Sequence, residues 1–273
     1  MEANKKLGQN FLIQESVIEG IVEAADVQPD DLIIEIGPGL GTLTSYLLEK
    51  ARKVVAVELD ERMMHVLQDR FCFYHNFELI HQDILQVDLN HLIQEERKKD
   101  QTIQRTKIVA NLPYYITTPI VMKLLEEKLE IDSLTIMIQK EVAERFCAQP
   151  GSKLSGAITY GIHYYTKPEL KFTVEPNAFI PEPAVQSQVV HLQILPQPSV
   201  VVEDEKWLFQ VIKVAFMQRR KTLMNALQHG GIIQDKGELE EILKTMQLPS
   251  NIRGENLSLG QFAQLSEKLK KKQ

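Results

Sequence analysis

The chain has 273 residues, of which 44% are hydrophobic and 25% charged, with two cysteines. This is an ordinary globular composition, long enough for two domains of ~150 residues each. It excludes a disulfide framework, and no apolar run reaches the ~18 residues of a membrane span. The net charge of −6 argues mildly against a nucleic-acid partner, but it is uneven. From Gln197 onward there are twelve basic and nine acidic residues, against 19 and 28 before it. Affinity for phosphate follows local positive faces rather than the sum, so such a partner is not excluded.

The opening "MEANKKLGQNFLI" has no long apolar core and no small-residue cleavage site, so no signal peptide is expected. Cys72 and Cys147 lack metal-ligand spacing and read as reduced thiols, so no metal and a cytoplasmic location are expected. "ESVIEGIVEAA" places Val17, Ile18, Ile21 and Val22 at helical spacing. "DDLIIEIGPGLG" reads as a buried parallel strand ended by a tight turn, and "TLTSYLLEKA" as the helix after it. "KVVAVELD", "FELIHQDI", "KIVANLP" and "SLTIMIQK" are four further strands. Helices are expected in "ERMMHVLQDRF", "TPIVMKLLEEKL" and "EVAERFCA". Strands alternating with helices imply an α/β domain with a mostly parallel, doubly wound sheet. "SGAITYGIHYYTK" reads as a helix, "ELKFTVEPNAFIPEPAV" as extended chain broken by proline, and "SQVVHLQIL" as a last, antiparallel strand. After the linker "PQPS" the pattern is helical to the end. The expected organisation is an α/β domain over 1–196 and a small all-α domain over 197–273.

Three features mark the expected carboxyl edge of the sheet. Gly37, Gly39 and Gly41 allow a tight turn and close approach to a ligand. Glu58 ends the second strand, 21 residues after Gly37, where an acid can accept ribose hydroxyls. Asp83 ends the third, where a carboxylate can accept an adenine amino hydrogen. Alone, each acid reads equally well as a cap or turn residue. Together, in sheet order, they point to an adenosine-containing cofactor. Glu35, inside the strand, serves either the cofactor's far end or the loop backbone. The spacing G-x-G-x-G does not by itself separate S-adenosylmethionine from a nicotinamide dinucleotide, whose sites more often show G-x-G-x-x-G.

"NLPY" after the fourth strand separates them. Asn111 offers an amide acceptor and Leu112 a backbone carbonyl. Pro113 fixes the backbone, and Tyr114 offers a face on which a base can stack. An adenine amine is a poor nucleophile because its lone pair is delocalised into the ring. Two acceptors on its hydrogens favour a pyramidal nitrogen, which can attack an in-line sulfonium methyl without a strong base. The base must leave its stack, and an aromatic platform offsets part of that cost. The competing reading is that Asn111 only satisfies the turn and Tyr114 is core.

With "KKLGQNFL", "EIGPGLGTLT", "VAVELD", "QDIL", "NLPYYITTPI", "IQKEVAERF", "PNAFIPEPAVQSQVV" and "FMQRRKTLMNAL", the chain resembles the ribosomal RNA adenine N6,N6-dimethyltransferases of the bacterial small-subunit (KsgA-type) kind over nearly its whole length. The resemblance implies a Rossmann-like S-adenosylmethionine-dependent methyltransferase domain. It implies that Asn10, Leu12, Gly37, Gly39, Glu58, Asp83 and Asn111 line the cofactor. Asn111, Leu112, Pro113 and Tyr114 would hold the target adenine, with Phe179 on its other face. It implies two adjacent adenines in a 3′-terminal hairpin of small-subunit rRNA as substrate, within a pre-small-subunit particle, and a monomeric enzyme. Tyr115 stands where relatives often have asparagine. Without the resemblance, Phe179 reads as core and "QNF" as an undistinguished segment.

Residues 206–225 hold five basic side chains and no acid, with Arg219, Arg220 and Lys221 contiguous. A solvated helix end explains such a run; with an RNA substrate, phosphate contact explains it better. Lys5 and Lys6 could extend that surface, and "KLKKK" reads as a frayed, weakly attractive end. A resistance-type methyltransferase acting on large-subunit rRNA, a non-catalytic assembly scaffold and a nicotinamide dehydrogenase are the less favoured alternatives.

Overall fold

A six-residue run with no polar alternation needs cover on both faces, and "DLIIEI" is buried at every position in the computed structural model, which describes residues 9–270. Lys5, Lys6, Lys271 and Lys272 lie outside the described residues. In chain order the first elements are β1 (Phe11–Leu12), α1 (Glu15–Ala24), β2 (Asp31–Ile36), α2 (Thr42–Lys50), β3 (Lys53–Glu58) and α3 (Glu61–Phe71). Next come β4 (Phe77–His81), α4 (Leu89–Lys99), β5 (Arg105–Asn111), α5 (Thr117–Glu126), β6 (Ser133–Gln139) and α6 (Lys140–Cys147). Then follow α7 (Ala157–Tyr165), β7 (Thr166–Val174), β8 (Phe179–Ile180) and β9 (Ser187–Ile194). The last are α8 (Glu205–Met217), α9 (Leu223–His229), α10 (Lys236–Thr245) and α11 (Leu259–Lys270).

The main sheet runs β4-β3-β2-β5-β6-β9-β7. Strands β4 through β6 are parallel, and β9 pairs antiparallel with β6, as the sequence pattern predicts. The strand order reverses between β2 and β5. Ligands of open α/β sheets bind at that reversal, beyond the carboxyl ends of the strands. Register places Ile36 opposite Val57 on one side and Ala110 on the other. Glu58 and Asn111 therefore stand one residue further on, flanking the start of the glycine loop. At the opposite end, Asp31 is fully buried. It accepts from Gln28 N at 2.8 Å and pairs with Lys107 at 2.8 Å and Arg105 at 3.2 Å. Such a buried carboxylate is tolerable only when paired in this way.

Two elements escape the sequence pattern. Residues 89–99, given no element, form α4, capped by the Asp88 carboxylate on His91 N. Its fully buried apolar residues are only Leu89 and Ile93, with Leu92 partly buried beside them; the third buried residue is Glu96, neutralised by Lys99 at 2.6 Å and Lys53 at 3.6 Å. The second is β1, which pairs antiparallel with β8, Leu12 opposite Phe179. Asp83 does not end a strand either: it stands two residues past β4 and caps a 3-10 turn.

The chain packs into two units, residues 1–143 with 168–194 and residues 144–167 with 195–273. The division expected after residue 196 left 144–167 with the α/β part. Those residues join the helical unit because Tyr160, fully buried, packs its ring 5.3 Å from Phe216 and 5.1 Å from Phe262. Its hydroxyl donates to Leu257 O at 2.6 Å. No described helix is long and apolar enough to cross a membrane.

Candidate active site

One cavity opens at the carboxyl edge of the sheet. Its lining includes Asn10, Leu12, Gly37, Gly39, Glu58, Asp83, Asn111, Leu112, Pro113, Tyr114 and Phe179, every cofactor and base-holding candidate read from the sequence. Six separate segments supply them: the N-terminal stretch at β1, the loop after β2, the end of β3, the loop after β4, the end of β5 with the turn after it, and β8.

The glycine loop is built by sterics. Gly37 has φ 67° and a Cβ there would meet nothing within 4 Å, so the loop leaves room beside the chain. Gly41, at φ 77°, is glycine for a second reason: a Cβ would lie 2.6 Å from Phe71 and 2.9 Å from Leu67, where α3 packs against the loop. Gly39 N donates to Glu58 Oε2 at 3.1 Å, and Leu59 N and Asp60 N both donate to Oε1 at 2.8 Å. Glu58 thus uses three of about four acceptor positions on the backbone. Burial raises its pKa, against the pull of those amides.

Glu35 is 2% exposed and its Oε2 has no hydrogen-bond partner. Burial, reinforced by the charge of Glu58, pushes its carboxyl up to about 8. Asp83 Oδ1 accepts from Leu85 N at 3.0 Å. The cavity's titratable lining is acidic, with Glu58, Asp83 and the buried Glu35, whose raised pKa keeps it largely protonated until a cation arrives; among the described residues no lysine, arginine or histidine lines it. An unpaired buried acceptor, open space beside Gly37 and an acidic lining suit a ligand that brings positive charge and hydrogen-bond donors. They disfavour the pyrophosphate of a dinucleotide.

The Asn111 amide nitrogen donates to Asn10 O at 3.4 Å. That contact leaves Oδ1, the acceptor, unconsumed by the strand. The Pro113 carbonyl accepts from Ile116 N at 3.2 Å and Thr117 Oγ1 at 3.1 Å, holding the turn into α5. The Tyr114 hydroxyl is 2.7 Å from Ser187 Oγ at the start of β9, which fixes the ring; burial raises its pKa. Ser187 is fully buried and lies 73 residues from Tyr114, so no sequence signal joined them.

The family model described as ribosomal RNA adenine dimethylase matches residues 1–271. The chain belongs to the ribosomal RNA adenine dimethylase family. It is 47% identical over 270 residues to "Ribosomal RNA small subunit methyltransferase A" of Alkaliphilus metalliredigens, covering 99% of this chain and 93% of that one. It is 48% identical over 266 residues to the protein of the same name from Clostridium acetobutylicum, covering 97% and 93%. The fold is that of a dimethyladenosine transferase from Plasmodium falciparum (TM-score 0.74, 24% identity, 93% and 95% of the two chains). It is also that of the 23S rRNA methyltransferase ErmE (TM-score 0.72, 23% identity, 96% and 100%).

For a ribosomal RNA adenine dimethylase, two placements carry chemical consequences. Phe179 lines the cavity yet is 1% exposed and packed into the core with Leu12, Val17 and Val174. It serves the fold and the wall of the site together. Arg219 is engaged within its own unit, donating to Lys153 O at 2.9 Å and Ser155 O at 3.0 Å and pairing with Glu255 at 3.2 Å. Arg220 and Lys221, in the turn after α8, are exposed.

Proposed function

We propose that this dimethylase transfers methyl groups from S-adenosylmethionine to the N6 amines of two adjacent adenines in the 3′-terminal hairpin of small-subunit rRNA, within a pre-small-subunit particle. The orientation of the Asn111 amide carries the reading. Its nitrogen donates to Asn10 O, which leaves the amide oxygen as the acceptor for a ligand in the cavity that Asn111 lines. An adenine N6 hydrogen is the donor it suits, and Leu112 supplies the second acceptor from its carbonyl. When bound, S-adenosylmethionine supplies the electrophilic methyl group.

The rest of the task falls to this chain. Tyr114, its ring fixed by Ser187, stacks on the adenine and offsets part of the cost of unstacking it. Phe179 closes the other face from the core side. Glu58 has one acceptor position left, so it takes one ribose hydroxyl freely; a second displaces the Gly39 amide. Asp83 accepts from the cofactor's adenine. Asn10, just before β1, and Leu12, in it, line the same cofactor, and Glu35 accepts from its cationic amino-acid end. The three carboxyls favour a ligand carrying a sulfonium and an ammonium. Arg220 and Lys221 contact phosphates, with Arg219 holding the turn that presents them.

Transfer of labelled methyl groups, offered separately to unmethylated small-subunit particles and to large-subunit rRNA, tests the reading. Dimethyladenosine in the small-subunit sample alone is expected. Label only in large-subunit rRNA overturns the assignment, and no label in either overturns the substrate.

A further inference from the structure

Tyr115 has no structural work to do. It follows Tyr114 in the turn before α5, lines the cavity, and is 59% exposed. No aromatic pair among the described residues includes it. The ring therefore presents a flat face at the edge of the cavity that a ligand can cover. Leu59, 49% exposed, is a second apolar side chain on the same lining. The described lining holds no cation, so nothing described in it grips a phosphate. What an aromatic ring beside a cavity without cations in its described lining can hold is the flat face of a base.

We propose that Tyr115 is the stacking platform for the nucleobase adjoining the target adenine. The inference rests on the reading of Asn111 and Tyr114 as the adenine-holding pair. Flipping one base leaves its neighbour with an exposed face. A ring one residue along the chain from the target's own platform is placed to cover it, which lowers the cost of extrusion. Tyr115 then sets which strand geometries enter, a positioning and specificity role rather than a chemical one.

The test compares Tyr115→Ala, Tyr115→Phe and Tyr115→Leu in methyl transfer to unmethylated small-subunit particles, with Asn111→Ala alongside. Tyr115→Ala is expected to lower kcat/KM ~10-fold, chiefly through KM, as loss of one stacked base predicts. Unfolding midpoint and cofactor affinity stay at the wild-type values, because the ring supports neither. Phe restores activity and Leu does not. The slope of log KM against log salt is unchanged, since no phosphate contact is lost. An alanine variant within twofold of wild type overturns the proposal, as does rescue by Leu, failure of rescue by Phe, or a shallower salt slope. If Asn111→Ala is itself fully active, the adenine-site reading fails first; a dead Asn111→Ala beside a normal Tyr115→Ala rejects this inference alone.

Discussion

At the scale of single residues the site depends on which atoms are already committed. Asn111 spends its nitrogen on Asn10 O and keeps its oxygen. Asn111→Ala removes that acceptor and is expected to lower turnover by ~10² or more, the range for deleting one preorganised hydrogen-bonding group. The fold loses only one long hydrogen bond, so the unfolding midpoint barely moves; single-turnover methyl transfer alongside thermal unfolding checks both. Glu35 tests the electrostatics. Its folded-state carboxyl titrates near 8 against an ordinary 4.5, because burial penalises the charge. The unfolded chain ionises first, so this group removes stability as pH rises from about 4.5 to about 8 and costs nothing below. Glu35→Gln in the cofactor-free protein is expected to match wild type at pH 4 and to be more stable at pH 8, by roughly 4 kcal/mol. Parallel stability–pH curves would show that Glu35 is solvated instead.

At the scale of elements, the N-terminal strand is the part most open to disruption. β1 is two residues long and gains little from its own ladder with β8. Side chains from elsewhere hold it: Thr42 Oγ1 donates to Leu12 O at 3.1 Å, and Gln9 Nε2 donates to Asp60 Oδ2 at 2.9 Å. Asp60 also caps α3 through Arg62 N, and the Arg62 guanidinium holds its carboxyl down at about 2. A depressed carboxylate stabilises the fold above its unfolded value of 3.8 and loses that contribution as pH falls toward 2. Asp60→Ala is expected to cost ~1 kcal/mol through the cap and to weaken cofactor binding severalfold through the loosened strand. Calorimetric titration with S-adenosylmethionine measures the second effect; unchanged affinity would mean that Thr42 and β8 suffice.

For the whole molecule, the chain packs as two units, and the contiguous cations of the helical unit differ in what they touch. Arg219 satisfies two carbonyl oxygens and one carboxylate, so Arg219→Ala is expected to lower stability by ~1–2 kcal/mol. Arg220 and Lys221 touch solvent. Replacing both by Ala leaves stability unchanged and reduces the salt slope of RNA binding by about 2, one for each lost phosphate contact. A double variant with an unaltered slope would remove this turn from the RNA interface.

The sequence by itself determined the α/β order, the parallel run of strands and the identity of the cavity's chief polar residues. Those follow from local pattern: apolar runs, glycine turns, and acids and an amide at strand ends. The motifs also carried the family. It did not determine that β1 would lie against β8, that Tyr160 would draw residues 144–167 into the helical unit, or that α4 would form around a buried glutamate. Each of these depends on a partner distant in the chain. Nor could the sequence distinguish Arg219 from Arg220, or pair Tyr114 with Ser187. Identical residue types differ there only in what surrounds them. The contact between the Asn111 amide and Asn10 O, and the acidic described lining that disfavours a dinucleotide, are properties of neighbours in space, and only the tertiary structure decided them.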